Sequence, residues 1–127
     1  MRDMRTPLGK VRGLGSAKDG TEHFWHIRLT AVALVPLSLF VIGWVLSLRG
    51  VSVDGVRASL AQPLVALPVA LFLVAALFHM RLGMQIIIED YVHGEGSKVV
   101  LLMLNPFFTI AIGVVSLFAL LNLSFGG

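Results

Sequence analysis

Three apolar runs, residues 27–48, 64–88 and 99–123, leave this chain few ways to fold. About 20 apolar residues suffice to cross a bilayer as a helix, and each run exceeds that length. Hydrocarbon offers no hydrogen bonds, so each run must satisfy its own backbone amides, which an α-helix does. The first run is also longer than the apolar core of a secretion signal, about 7–15 residues. Composition agrees: the chain is 57% hydrophobic and 13% charged, where a soluble domain carries about 25% charged residues. The expectation is an all-α membrane protein with three transmembrane helices. A polar tail would occupy residues 1–26 and a three-helix anchor domain residues 27–127.

Basic residues set the orientation. The tail carries Arg2, Arg5, Lys10, Arg12 and Lys18, and the loop over residues 89–98 carries Lys98. The connection over residues 49–63 carries Arg49 and Arg57, and the C-terminus carries none. Basic residues accumulate on the cytoplasmic side. This places the N-terminus and the 89–98 loop in the cytoplasm and the C-terminus in the periplasm. The net charge of +3 therefore reads as membrane orientation, with no nucleic acid among the partners. Pro7, Gly9, Gly13, Gly15 and Gly20 argue against a long helix in the tail. Asp3, Asp19 and Glu22 argue against a mitochondrial transit peptide, which is poor in acids. Phe24 and Trp25 are expected to form an interface-seeking turn.

The chain has no cysteine. It can supply no disulfide, thiolate metal site, iron–sulfur ligand or covalent c-type haem link. Any haem it held would be bound without covalent attachment.

Residues 79–93, HMRLGMQIIIEDYVH, concentrate the ionisable groups that the apolar runs otherwise lack. His79 lies ten residues before Glu89, about 15 Å along a helix, or half of a hydrocarbon core about 30 Å thick. An ionisable residue at that depth faces protein or a cavity and is functional by default. Its alternative role is a neutral ring hydrogen-bonded between helices. Ala75, Ala76 and Gly83 share its face and would let a backbone or a flat porphyrin approach, and Asp90 continues the same stripe. Arg81 lies about 200° round the helix, and whether it snorkels to the interface or meets an acidic group stays open. With the first span starting where the second ends, His26 and Arg28 are expected level with Glu89, Asp90, Tyr91 and His93. His23, His26 and His93 would each lie about 15 Å from the depth of His79. If His79 ligates haem iron, the second axial ligand is then expected from another protein chain.

These residues carry a resemblance. The pattern H-x3-G-M followed by D-Y, here His79, Gly83, Met84, Asp90 and Tyr91, resembles that of the smaller hydrophobic membrane anchor of succinate:quinone oxidoreductase (succinate dehydrogenase, respiratory complex II). The alphaproteobacterial form is the most similar. The start of the first span, GTEHFWHIRLTA, with Arg28 in an R-x-T-A context, is similar as well. The likeness runs through most of the chain from about residue 15. The larger, sister anchor of that complex has a serine–histidine pair ahead of its arginine, and this chain lacks one.

The resemblance implies a bundle packed with that sister anchor as its partner, in the bacterial inner membrane. It implies haem b held between the two anchors, with His79 as one axial ligand of the haem iron and Arg28 near the propionates. Tyr91 would hydrogen-bond ubiquinone, with Asp90 beside it for orientation or proton delivery. An iron–sulfur subunit and a flavoprotein subunit would dock on the cytoplasmic face and hold the remaining redox centres. The chain would not be catalytic alone, and the complex would serve the tricarboxylic acid cycle and the respiratory chain. Three other readings remain: the anchor of a quinol:fumarate reductase, a small membrane interaction or assembly protein with no redox centre, and a small transporter.

Overall fold

The computed structural model describes residues 4–15 and 19–126. Arg2 and Lys18 of the basic tail lie outside the described residues. Among the described residues every regular element is a helix: α1 (Pro7–Val11), α2 (Asp19–Ser47), α3 (Val53–Leu60), α4 (Pro63–Tyr91) and α5 (Glu95–Phe125). Three of them, α2, α4 and α5, are long and apolar enough to cross a membrane. At 29, 29 and 31 residues they run about 43–47 Å, more than a hydrocarbon core about 30 Å thick. Their ends therefore reach beyond the apolar layer.

The helices exceed the three apolar runs at several ends. Helix α2 starts at Asp19, so the last eight residues of the expected tail are helical and carry Phe24 and Trp25 as part of the span. The loop expected over residues 89–98 shrinks to residues 92–94. Glu89, Asp90 and Tyr91 form the last turn of α4, and Glu95 opens α5. A connection this short makes α4 and α5 an antiparallel hairpin. The 49–63 connection contains α3, capped by the Ser52 hydroxyl, which accepts from Gly55 N at 3.2 Å, with Asp54 in the first turn against the helix dipole. Gly50 adopts φ +76°, a left-handed conformation that lets the chain leave α2 without a Cβ penalty.

Helix α4 is central. It packs along α2 on one side and α5 on the other, and among the described residues the backbones of α2 and α5 do not come close to each other. Helix α3 lies across α4 and α5. The best-buried apolar cluster forms there: Leu60, Val69 and Leu120, with Val41 and Trp44 packed against them. The Trp44 indole donates to the Ser59 hydroxyl at 2.8 Å, tying the end of α2 to α3. Elsewhere large apolar side chains point outward along all three spans. Lipid or protein must cover them, because water would not tolerate so large an apolar surface.

The α4–α5 contact combines a close approach with a polar tie. A Cβ on Gly113 would stand 3.3 Å from the Leu77 side chain, so the glycine lets the helices draw together. Asn105 is 8% exposed, and its side-chain amide donates to the Arg81 carbonyl at 2.9 Å. Pro106 has no N–H to offer inside α5. One turn further on, the Thr109 hydroxyl donates to the Asn105 carbonyl at 2.9 Å. Replacing Asn105 with leucine is expected to weaken the α4–α5 contact by about 0.6–1.7 kcal/mol, the range for interhelical hydrogen bonds in membranes. Detergent unfolding of the purified protein measures it.

Candidate functional site

His79 sits near the middle of α4, sixteen residues after Pro63 and twelve before Tyr91. By helical rise it is about 24 Å from one end and about 18 Å from the other. Its Nδ1 lies 2.9 Å from the Thr30 hydroxyl oxygen of α2, a contact across 49 residues of sequence. The same hydroxyl donates back into its own helix. The His26 carbonyl is at 2.8 Å and the Ile27 carbonyl at 3.0 Å. One turn along α2, the His26 ring meets the Phe78 ring edge-on, with centroids 5.6 Å apart. These two contacts set how α2 lies against α4.

That register corrects two expectations. His26 and Arg28 are level with the middle of α4, around Phe78 and His79, and not with Glu89–His93. Thr30 touches His79, and Tyr91 stands about 18 Å further along α4 by helical rise. The physical cause is the two extra turns at the start of α2: by helical rise from Thr30, its first residue, Asp19, and not residue 27, stands level with the end of α4. For the same reason His26 is not about 15 Å from the depth of His79. Its ring is engaged with Phe78. His93 does lie far from His79, just past the end of α4.

The other candidate residues fall in separate places. Arg28 is exposed on α2 and stacks its guanidinium over the Phe24 ring, 4.1 Å from the centroid. It lies within about 3 Å of the depth of Thr30, two residues away on the same helix. Asp90 and Tyr91 occupy the last turn of α4, both exposed, with Tyr91 75% open. Nearby, Gln85 donates from its amide to Glu89 at 3.0 Å. Because α4 is one continuous helix, Asp90 stays within about 20° of the direction of His79. Arg81 lines a groove of about 230 Å³ between α4 and α5, with Phe78, Pro106 and Thr109. It thus serves a different side of α4 from the one that meets α2.

The surroundings of His79 suit a planar ligand brought by another molecule. Among the described residues nothing outside its own stretch of helix comes within 4 Å of where a Cβ on Gly83 would stand, so packing among them does not require the glycine. Ala75 and Ala76, on the same face, are only partly buried. Among the described residues no three His, Cys, Asp or Glu side chains gather as a protein-only metal site. A single imidazole is enough for a metal that brings a macrocycle with it. Thr30 and His79 touch directly, which leaves no room for such a ring between α2 and α4 at that level. Two contributors are not evident from the sequence: Thr30 as the partner of His79, and Asn105 as the polar tie of α5. A hydroxyl or amide inside an apolar run was the available signal, because buried polar groups seek partners.

Comparison with known proteins bears on the chain as a whole. The family model for the succinate dehydrogenase/fumarate reductase transmembrane subunit matches residues 2–121. The succinate dehydrogenase hydrophobic membrane anchor subunit of Paracoccus denitrificans is 32% identical over 121 residues, covering 95% of this chain and 93% of that protein. The corresponding protein of Rickettsia bellii is 32% identical over 108 residues, 85% of this chain and 86% of the relative. The succinate dehydrogenase membrane anchor subunit of Reclinomonas americana is 34% identical over 90 residues, 68% and 75% of the two chains. No solved structure gives a significant match. A chain of three apolar helices matched over nearly its whole length belongs to the succinate dehydrogenase/fumarate reductase transmembrane subunit family, as a succinate dehydrogenase hydrophobic membrane anchor.

Proposed function

We propose that this chain anchors succinate:ubiquinone oxidoreductase in the bacterial inner membrane, shares haem b with a partner anchor and helps form the ubiquinone-reduction site. The observation that carries the reading is His79. It is a single imidazole near mid-helix, with one ring nitrogen engaged by Thr30 and with small residues on its face. The excess of basic residues supports a cytoplasmic position for the start of α2 and the α4–α5 turn. An iron–sulfur subunit and a flavoprotein would dock on that side.

Haem b, when bound, supplies a one-electron centre whose potential follows from its axial ligands and burial. His79 would hold its iron through Nε2, and the partner anchor would supply the other ligand. Arg28, near the depth of His79, would offer a planar guanidinium to the propionates, a bidentate match for carboxylates. Tyr91 and Asp90 stand about 18 Å away by helical rise, at the end of α4. There the Tyr91 hydroxyl would donate to a ubiquinone carbonyl as negative charge develops on its oxygen. Asp90 would orient nearby groups or pass protons from water, and conversion of the quinone to quinol takes two electrons and two protons. An interfacial site suits this chemistry, because quinone arrives from lipid and protons from water.

Purification of the native complex tests the reading. The expected result is a low-spin b-type spectrum together with flavoprotein and iron–sulfur subunits, and ubiquinone reduction driven by succinate. A chain that purifies without haem and without a flavoprotein is instead a membrane interaction or assembly protein.

A further inference from the structure

We propose that Thr30 is the positioning residue for His79, setting its tautomer and holding its ring so that Nε2 is free to bind iron. The inference rests on the reading of His79 as a haem ligand. The Thr30 hydroxyl has one proton and three neighbours in range: the His26 carbonyl at 2.8 Å, the His79 Nδ1 at 2.9 Å and the Ile27 carbonyl at 3.0 Å. A carbonyl can only accept, and a threonine inside a helix characteristically donates to the carbonyl four residues back. With its proton on the His26 carbonyl, the oxygen turns a lone pair toward His79 and accepts from Nδ1–H. A neutral imidazole carries one N–H and one lone pair, so the lone pair then resides on Nε2. That nitrogen is not the one held by Thr30, so it is the one left to bind iron.

The arrangement does for a membrane helix what a carboxylate or carbonyl does behind metal-bound histidines elsewhere. The outer partner fixes the tautomer and ring orientation and makes the ligand nitrogen more basic. A hydroxyl is a weaker acceptor than a carboxylate, but it needs no buried charge. Its own donation to the His26 carbonyl polarises it and strengthens the bond it accepts. The relay His26 carbonyl, Thr30, His79 also makes the ligand part of the α2–α4 contact, so the first span positions a residue on the second.

The test uses the assembled complex with Thr30→Val, Thr30→Ser and His79→Ala. The readouts are haem per flavin, the electron paramagnetic resonance of the ferric haem and its midpoint potential. Thr30→Val keeps the shape and loses the hydroxyl. It is expected to weaken haem retention about 10–100-fold, the usual consequence of losing an outer partner. The haem that remains should have a raised potential, because a less basic ligand stabilises the ferric state less. Thr30→Ser, which keeps the hydroxyl, should restore the parent signal. Thr109→Val removes the same helix back-bond in α5, where no histidine is involved, and should leave the haem unchanged. The proposal is overturned if Thr30→Val matches the parent in all three readouts, or if Thr30→Ser behaves like Thr30→Val. Should Thr30→Val not assemble, Thr30→Ala is judged by the same criteria. His79→Ala separates the two layers: a normal haem in that variant defeats the ligand reading itself, whereas its loss beside an unaffected Thr30→Val defeats only the role of Thr30.

Discussion

Replacing His79 with alanine is expected to strip the low-spin b-type spectrum from the assembled complex. The expected loss exceeds the roughly 10–100-fold attributed to an outer partner such as Thr30, because a ligand to the iron itself is removed. The alternative role for His79, a hydrogen bond between α2 and α4 and nothing more, predicts a different outcome. Such a bond contributes about 0.6 kcal/mol in a membrane. Its removal would loosen the helix pair slightly and leave any haem untouched. Haem content and helix stability therefore separate the two roles in one variant. An unchanged spectrum would remove His79 as a ligand, and the open face at Gly83 would then belong to helix packing with a partner.

Replacing Tyr91 with phenylalanine is expected to slow succinate-driven ubiquinone reduction on the order of 100-fold, the scale on which losing one donor to a developing oxyanion acts. Succinate oxidation by a water-soluble artificial acceptor should persist, since that route bypasses the membrane site. The structure makes the variant easy to interpret. Tyr91 is the last residue of α4, and its side chain is 75% exposed. Removing its hydroxyl leaves no buried polar atom unsatisfied and no cavity, so stability should barely change. Normal quinone turnover would falsify the assignment of Tyr91 to the quinone carbonyl. The haem spectrum should remain that of the parent, because about 18 Å of helix separates Tyr91 from His79.

Much of the fold is legible in the sequence. Length and hydropathy identify three spans, since a run of apolar residues in lipid has almost no alternative to a helix. The distance from His79 to the polar end of its helix depends only on helical rise. Its depth and its shared stripe with Asp90 therefore follow from counting. The short helix α3 is less visible. It lies in a polar stretch where the Ser52 cap and Asp54 are the local signals, and its apolar residues matter only once Leu60 meets Val69 and Leu120. The first eight residues of α2 are hidden for a related reason. They are polar, so they look like tail, yet a helix already formed by the span extends readily through them.

The tertiary structure decided what the sequence by itself could not: which level of the first span faces which level of the second. Composition and periodicity are local, and they identify Thr30, Arg28 and His26 only as residues near the start of an apolar run. The register of α2 against α4 depends on side chains 49 residues apart fitting together. That fit places Thr30 on His79 and His26 on Phe78. It moves Arg28 away from Asp90–Tyr91 and toward the depth of His79. The sequence determined that the second span carries one histidine near its middle and one acid–tyrosine pair at its end. Helix packing decided which hydroxyl engages that histidine, because a hydrogen bond across two helices requires both to be in place.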